Sequence, residues 1–277
     1  MNVPLLSLLI LSQIEGPISG QMAMDRVKSA LKAFGVHGSL RLQELSSVTV
    51  SDKPVLLHVV FSNPPGGNYE AYVHTEGRSF QLWHGSERAS LNGLKSSPLP
   101  NQKYEQLTRK WLASVAANET TQLKSMTVDE NGNGRAYFAI LRNGYPFVSH
   151  PRYGYEFVFK VSSGEFVAFR GDQKPPETDP TPPKLDEAGA LAALKRIWDT
   201  EITPEAINVH HFKRVWYTNL AVPELGYYLP EGKRKAILVW RLSYTSSRDV
   251  GYAIQGGSDA MLIDAVTGQR IRTTVVP

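Results

Sequence analysis

An α+β fold is predicted by three observations: helical segments at near-constant spacing, a change to strand periodicity after each, and a glycine turn that closes each group of strands. Ala30, Leu31, Lys32, Ala33 and Phe34 align with Trp111, Leu112, Ala113, Ser114 and Val115, and again with Ala193, Leu194, Lys195, Arg196 and Ile197, at offsets of 81 and 82 residues. A short helix with one apolar face cannot bury that face alone, and following strands supply the missing layer. The expectation is therefore three tandem units, each a helix packed on an antiparallel β-meander.

The elements follow in chain order. Residues 1–20 hold an apolar stretch, 3–11, and then a turn at Gly16 and Pro17. That length suits the hydrophobic part of an export signal and is too short to cross a bilayer, the alternative being a first helix docked on the domain. The first unit, residues 21–95, sets Met24, Val27, Leu31 and Phe34 on one helical face and then alternates as strands over 55–61, 69–74 and 79–83. The second, residues 96–172, sets Tyr104, Leu107, Trp111 and Val115 on a helix, with strands over 136–142, 155–161 and 166–169. Residues 173–184 carry five prolines in twelve positions, which favours an extended, semi-rigid linker. The third unit, residues 185–277, opens with Asp186 as helix cap and Glu187 in the first turn. Leu191, Leu194, Ile197 and Trp198 share its helical face, and strands are expected over 209–217, 236–244, 260–264 and 270–275. Gly77, Gly164 and Gly268 end the three matched hairpins, where a residue without Cβ takes positive φ at little cost.

Composition narrows the function classes. The chain of 277 residues has no cysteine, which removes thiol catalysis, disulfides and thiolate metal sites. A formal charge of +4, from 30 basic against 26 acidic residues, is too small and too dispersed for a nucleic-acid protein, so no nucleic-acid partner is expected. The densest basic run, Lys233, Arg234 and Lys235, reads as a solvated turn before a strand. No apolar run after the first dozen residues reaches the length of a transmembrane helix.

Catalytic patterns are sparse. His37, His58, His74, His84, His150, His210 and His211 fall in no recognised ligand spacing, and His210 and His211, if on a strand, point to opposite faces. His74 and His84 flank one hairpin and are the one pair in which a zinc site is conceivable. The run Asp129, Glu130, Asn131, Gly132, Asn133, Gly134 has the oxygen alternation that opens a calcium loop, but its twelfth position is Ile140, where the loop requires a bidentate glutamate. It reads as a polar hairpin turn. The chain contains no nucleophile elbow, no phosphate-cradling loop and no dinucleotide fingerprint. No catalytic residue, metal or cofactor is expected.

The third unit resembles a PepSY domain through Asp186, Glu187, Ala188 and Ala193, Leu194, Lys195 on the helix, the strand 238–242, and the closing phrase Leu262, Ile263, Asp264, Ala265, Val266, Thr267, Gly268. The second, with Arg142, Asn143, Gly144, Tyr145 and Pro146 before the strand from Tyr155, is similar to the repeated domain of the YcdB/YcdC type in bacterial envelope proteins; the first fits loosely. The resemblance implies a non-catalytic extracytoplasmic module, secreted or held at the cell envelope, that binds or inhibits a peptidase or engages an envelope protein or peptide. Tyr227, Tyr228 and Tyr252 lie around the two long loops of the third unit and are the candidate partner contacts, since loop tyrosines make good contact residues. The competing expectations are an architectural wall or matrix protein that adheres through weak charge, and a hydrolase whose residues converge only in three dimensions. Oligomeric state is not legible in the sequence.

Overall fold

The structure is a computed structural model that describes residues 17–51, 53–64, 67–77, 79–85, 96–148, 153–172 and 175–271. In chain order its elements are α1 (Gly20–Ala33), β1 (Arg41–Val50), β2 (Lys53–Ser62), β3 (Asn68–His74), β4 (Ser79–His84), β5 (Ser96–Pro98), α2 (Gln102–Val115), β6 (Thr121–Asp129), β7 (Asn133–Arg142), β8 (Tyr145–Pro146), β9 (Gly154–Lys160), β10 (Phe166–Asp172), β11 (Glu177–Thr178), α3 (Glu187–Ile197), a π-helical turn (Trp198–Ile202), α4 (Thr203–Asn208), β12 (Arg214–Thr218), β13 (Glu224–Tyr228), β14 (Lys235–Asp249), β15 (Ile254–Asp264) and β16 (Arg270–Ile271). They form two compact units. The N-terminal unit runs to Leu141 and takes up the chain again over Tyr153–Pro175; the C-terminal unit combines Arg142–Arg152 with Pro176–Pro277.

The expected α+β fold of tandem helix-on-meander units is not what forms. Among the described residues the protein is mostly β, with 47% strand against 21% helical, in large antiparallel sheets. The physical reason lies at β4 and β10. Each would be an edge rich in aromatic residues if its meander ended there, and an apolar edge with unpaired amides invites pairing. Instead the two strands pair antiparallel, from Trp83 opposite Ala168 to Ser79 opposite Asp172. One sheet results, in the order β1-β2-β3-β4-β10-β9-β7-β6-β5.

The two helices of the N-terminal unit share one core. Ser19 caps α1 by accepting the Met22 amide at 3.2 Å, and Asn101 caps α2 by accepting that of Lys103 at 3.0 Å. Val27, Leu31 and Phe34 are buried with Tyr104, Trp111 and Val115 in a single apolar cluster. Phe34 is its hub, with ring centroids 4.7 Å from Phe166, 5.4 Å from Phe169 and 5.7 Å from both Trp111 and Phe157. Such aromatic contacts add to the area they bury.

In the C-terminal unit the fifteen-residue β14 is the spine. β15 runs along one side of it, and β13 and then β12 pair in succession along the other. Helix α3 covers the sheet with Ala190, Ala193, Leu194 and Ile197 buried, and Asp186 caps it by accepting the Gly189 amide at 2.8 Å. The π-helical turn follows because Pro204 has no amide to give back to Thr200; the helix widens and the Thr203 amide reaches Trp198 O. The turn after β15 is fixed by Asp264, whose Oδ1 accepts the amides of Val266 and Thr267, with Gly268 at φ 71°.

Candidate functional site

The two ends of the N-terminal sheet are built differently. β5 is three residues long and stops at Pro98, a residue with no amide to offer a further strand. β1 is ten residues long, exposed throughout, and among the described residues pairs only with β2. Its register with β2 shifts between Leu42 and Glu44 and again between Val48 and Thr49, leaving an unbroken run from Glu44 to Val48. Bulges of this kind twist an edge and limit casual pairing. Leu42, Leu45, Val48 and Val50 are apolar side chains left between 41% and 60% exposed along it.

Polar side chains on one face hold this edge in place. His58 on β2 lies opposite Ser46 on β1 and Tyr72 on β3. Its Nδ1 is 3.3 Å from Glu44 Oε1, and its Nε2 is 2.9 Å from Glu70 Oε1. The other Glu70 oxygen accepts the Trp83 indole N–H at 3.0 Å, and the rings of His58, Tyr72 and Trp83 stack in sequence at 4.7 and 5.4 Å. The Ser46 hydroxyl, donating at 2.7 Å, and then His58 hold the Glu44 carboxyl below its ordinary range. Gln43 adds a bond to Ser62 Oγ at 2.8 Å. Among the described residues the outer backbone edge of β1 is thus open, while its side chains are tied across neighbouring strands.

Sequence periodicity marks strands of the first unit only from residue 55 onward and passes over β1. The signal it lacks is alternation: every residue of Arg41–Val50 is exposed, so no buried set alternates with an exposed one. β6, the strand after α2, was missed for a related reason, since it buries only Asp129.

The three candidate tyrosines fall in three environments. Tyr227 is 1% exposed, and its hydroxyl accepts from Asn143 Nδ2 at 2.9 Å and donates to Asp179 O at 3.3 Å. Its carbonyl accepts the Val148 amide at 2.9 Å, and its ring lies 5.7 Å from that of Phe147. The adjoining Gly226 admits this strand, because a Cβ there would meet Pro146 O at 2.5 Å. Tyr227 therefore anchors the interior of the C-terminal unit rather than a contact surface. Tyr228 is half-buried, and Tyr252 is 88% exposed at the β14–β15 turn. The structure does not bring the three to one place.

Other candidates resolve into local structure. Asp129 Oδ1 accepts the amides of Asn131 and Asn133 at 3.0 and 2.9 Å, and Oδ2 lies 3.6 Å from Arg135, so the calcium-like run is a capped turn. Burial pushes its carboxyl up, but the Asn133 and Asn131 donors and Arg135 outweigh that and keep it below the ordinary value. His84 sits opposite Tyr69 at one end of β3 and His74 at the other, about 17 Å apart by strand rise. His210 and His211 lie in the connection before β12, not on a strand, and His211 has φ 56°. Among the described residues no group of three or more His, Asp or Glu side chains is placed to hold a metal ion, and no helix is long and apolar enough to cross a membrane. Of the segment expected to be an export signal, residues 1–16 lie outside the described residues; Ile18 is buried and its amide donates to Thr75 O at 2.6 Å. No family model matches this chain, and no curated protein matches it.

Proposed function

We propose that this protein is a non-enzymatic extracytoplasmic binding module that takes an extended segment of a peptidase, envelope protein or peptide as an added strand on β1. The observation that carries the reading is a ten-residue edge, open among the described residues, whose side chains are tied to β2 and through it to β3. Strand addition draws its affinity from main-chain hydrogen bonds, and a template already ordered by its pairing with β2 loses little entropy when it binds. The run Glu44 to Val48 is long enough to bond a short extended peptide, and Leu45 and Val48 offer apolar contacts beside it. The PepSY-like phrases of the third unit support the same class of role. If an export signal is removed, cleavage before Ile18 rather than at Gly20 keeps that side chain in the core.

The test is amide hydrogen exchange on the full chain, with and without a partner captured from envelope or secreted fractions under high salt. Saturable binding with protection concentrated in residues 41–50, weakened at least about tenfold by Leu45→Lys with Val48→Lys, is the expected result. Protection elsewhere would move the site, and recovery of only salt-labile polymer would favour the architectural reading.

A further inference from the structure

The C-terminal unit carries a second exposed region, remote in sequence from β1. The β14–β15 turn, closed by the Val250 amide on Ala253 O at 3.1 Å, presents Tyr252 at 88% and Ile254 at 69% exposure. The chain leaving α4 lies beside it: the Lys213 amide donates to Asp249 O at 2.8 Å, and a Cβ at Gly251 would touch Lys213 Cε at 3.2 Å. Ile207, 42% exposed, is in the last turn of α4, and Val209, 64% exposed, caps its C-terminus. Tyr252 and Ile254 thus stand exposed at the turn itself, and Ile207 and Val209 are exposed a few residues before Lys213 in the chain.

Basic residues flank the turn. Lys213, Arg214 and Arg248 are all exposed, and the two guanidinium groups are steadied on aromatic faces, Arg214 over Trp216 at 5.2 Å and Arg248 over Phe212 at 5.5 Å. Within the adjoining stretches 205–214 and 248–254 the acids are Glu205 and Asp249. Asp249 Oδ1 is turned onto the Gly251 amide at 2.7 Å, and Glu205 stands one helical turn before Val209. The balance at the turn itself is positive.

We infer that this turn docks on an anionic lipid surface, with Tyr252 and Ile254 entering the headgroup layer and Lys213, Arg214 and Arg248 facing lipid phosphates. Aromatic and aliphatic side chains beside basic ones are what such an interface retains, because apolar burial and charge attraction act together there. A hairpin turn exposed on both faces suits a fluid layer, which closes around it; a preformed protein surface would need a matching pocket. The inference stands independently of strand addition at β1.

The experiment uses the full chain with phosphatidylcholine vesicles, with and without phosphatidylglycerol, at low salt. Co-sedimentation with the anionic vesicles only, and a blue shift of indole emission on their addition to the Tyr252→Trp variant, are expected. Tyr252→Ser with Ile254→Ser should weaken binding by about tenfold, and Arg214→Gln or Arg248→Gln by about fivefold each. Failure to bind anionic vesicles overturns the inference. So does binding that leaves the Tyr252→Trp emission unmoved or the double serine variant unimpaired. Equal binding to polyglutamate with no emission shift would assign the surface to an acidic polymer instead.

Discussion

The two units bury a polar side chain in opposite ways. In the N-terminal unit Arg26 on α1 is 4% exposed, its Nε is sealed from solvent with no hydrogen-bond partner, and its guanidinium lies over the Phe80 ring at 5.2 Å. Burial lowers its pKa to about 10, with Tyr155 opposing, so it remains a cation at neutral pH. In the C-terminal unit Tyr227 is buried still more completely, but its hydroxyl both accepts and donates. The difference teaches that burial alone does not say whether a polar group holds a fold together. A satisfied group fixes the segments it joins, and an unsatisfied one lowers stability by what it lost from water.

The largest effect is expected for Tyr227→Ala. It removes a fully buried ring, leaves Asn143 and the Asp179 carbonyl without their partner, and should destabilise the C-terminal unit by about 3–5 kcal/mol. Exchange protection should fall first across residues 142–148 and 224–241. Arg26→Met should act in the opposite direction, raising stability by about 1–3 kcal/mol in urea denaturation, because an apolar chain of similar length replaces a buried guanidinium whose Nε has no hydrogen-bond partner. A loss of stability would show that Arg26 is compensated after all, and the contrast between the units would fail. Tyr227→Phe keeps the ring and deletes only the hydroxyl. A cost of about 1–2 kcal/mol is expected, measured the same way, and a neutral result would mean that packing rather than hydrogen bonding fixes this strand.

How far the sequence reveals this molecule follows from the same distinction. The helix faces were legible because Val27, Leu31, Trp111 and Leu194 recur at helical spacing and are buried, and Asp186 reads as a cap from its chemistry alone. Positive φ at Gly77, Gly164 and Gly268 follows from the lack of a Cβ. The joining of β4 to β10 was not legible, since pairing between strands about ninety residues apart leaves no local pattern. Nor was β1, whose pairing has no periodic trace. Tyr227 misleads for the converse reason: it sits in a stretch that reads as loop, yet β13 is a strand paired to β14 and the ring is interior.

The smallest effect is expected where a polar group is well partnered but remains in water. Glu44 contacts the Ser46 hydroxyl at 2.7 Å and His58 Nδ1 at 3.3 Å, as many partners as Tyr227 has, but stands on an exposed edge. Solvent competes for each of those bonds and salt screens the charge, so Glu44→Gln should move the urea midpoint less than Tyr227→Phe does. Its pH dependence has a definite sign. Ser46 and then His58 hold the folded carboxyl below its ordinary value of 4.5, so its contribution is complete above that value and disappears as pH falls through the lower folded one. Wild type and Glu44→Gln should therefore differ slightly in midpoint at mildly acidic pH and converge in stronger acid. If instead the difference exceeds that of Tyr227→Phe, the β1 edge is held by a bond that water does not weaken, and partnering would outweigh burial in setting the value of a polar group in this fold.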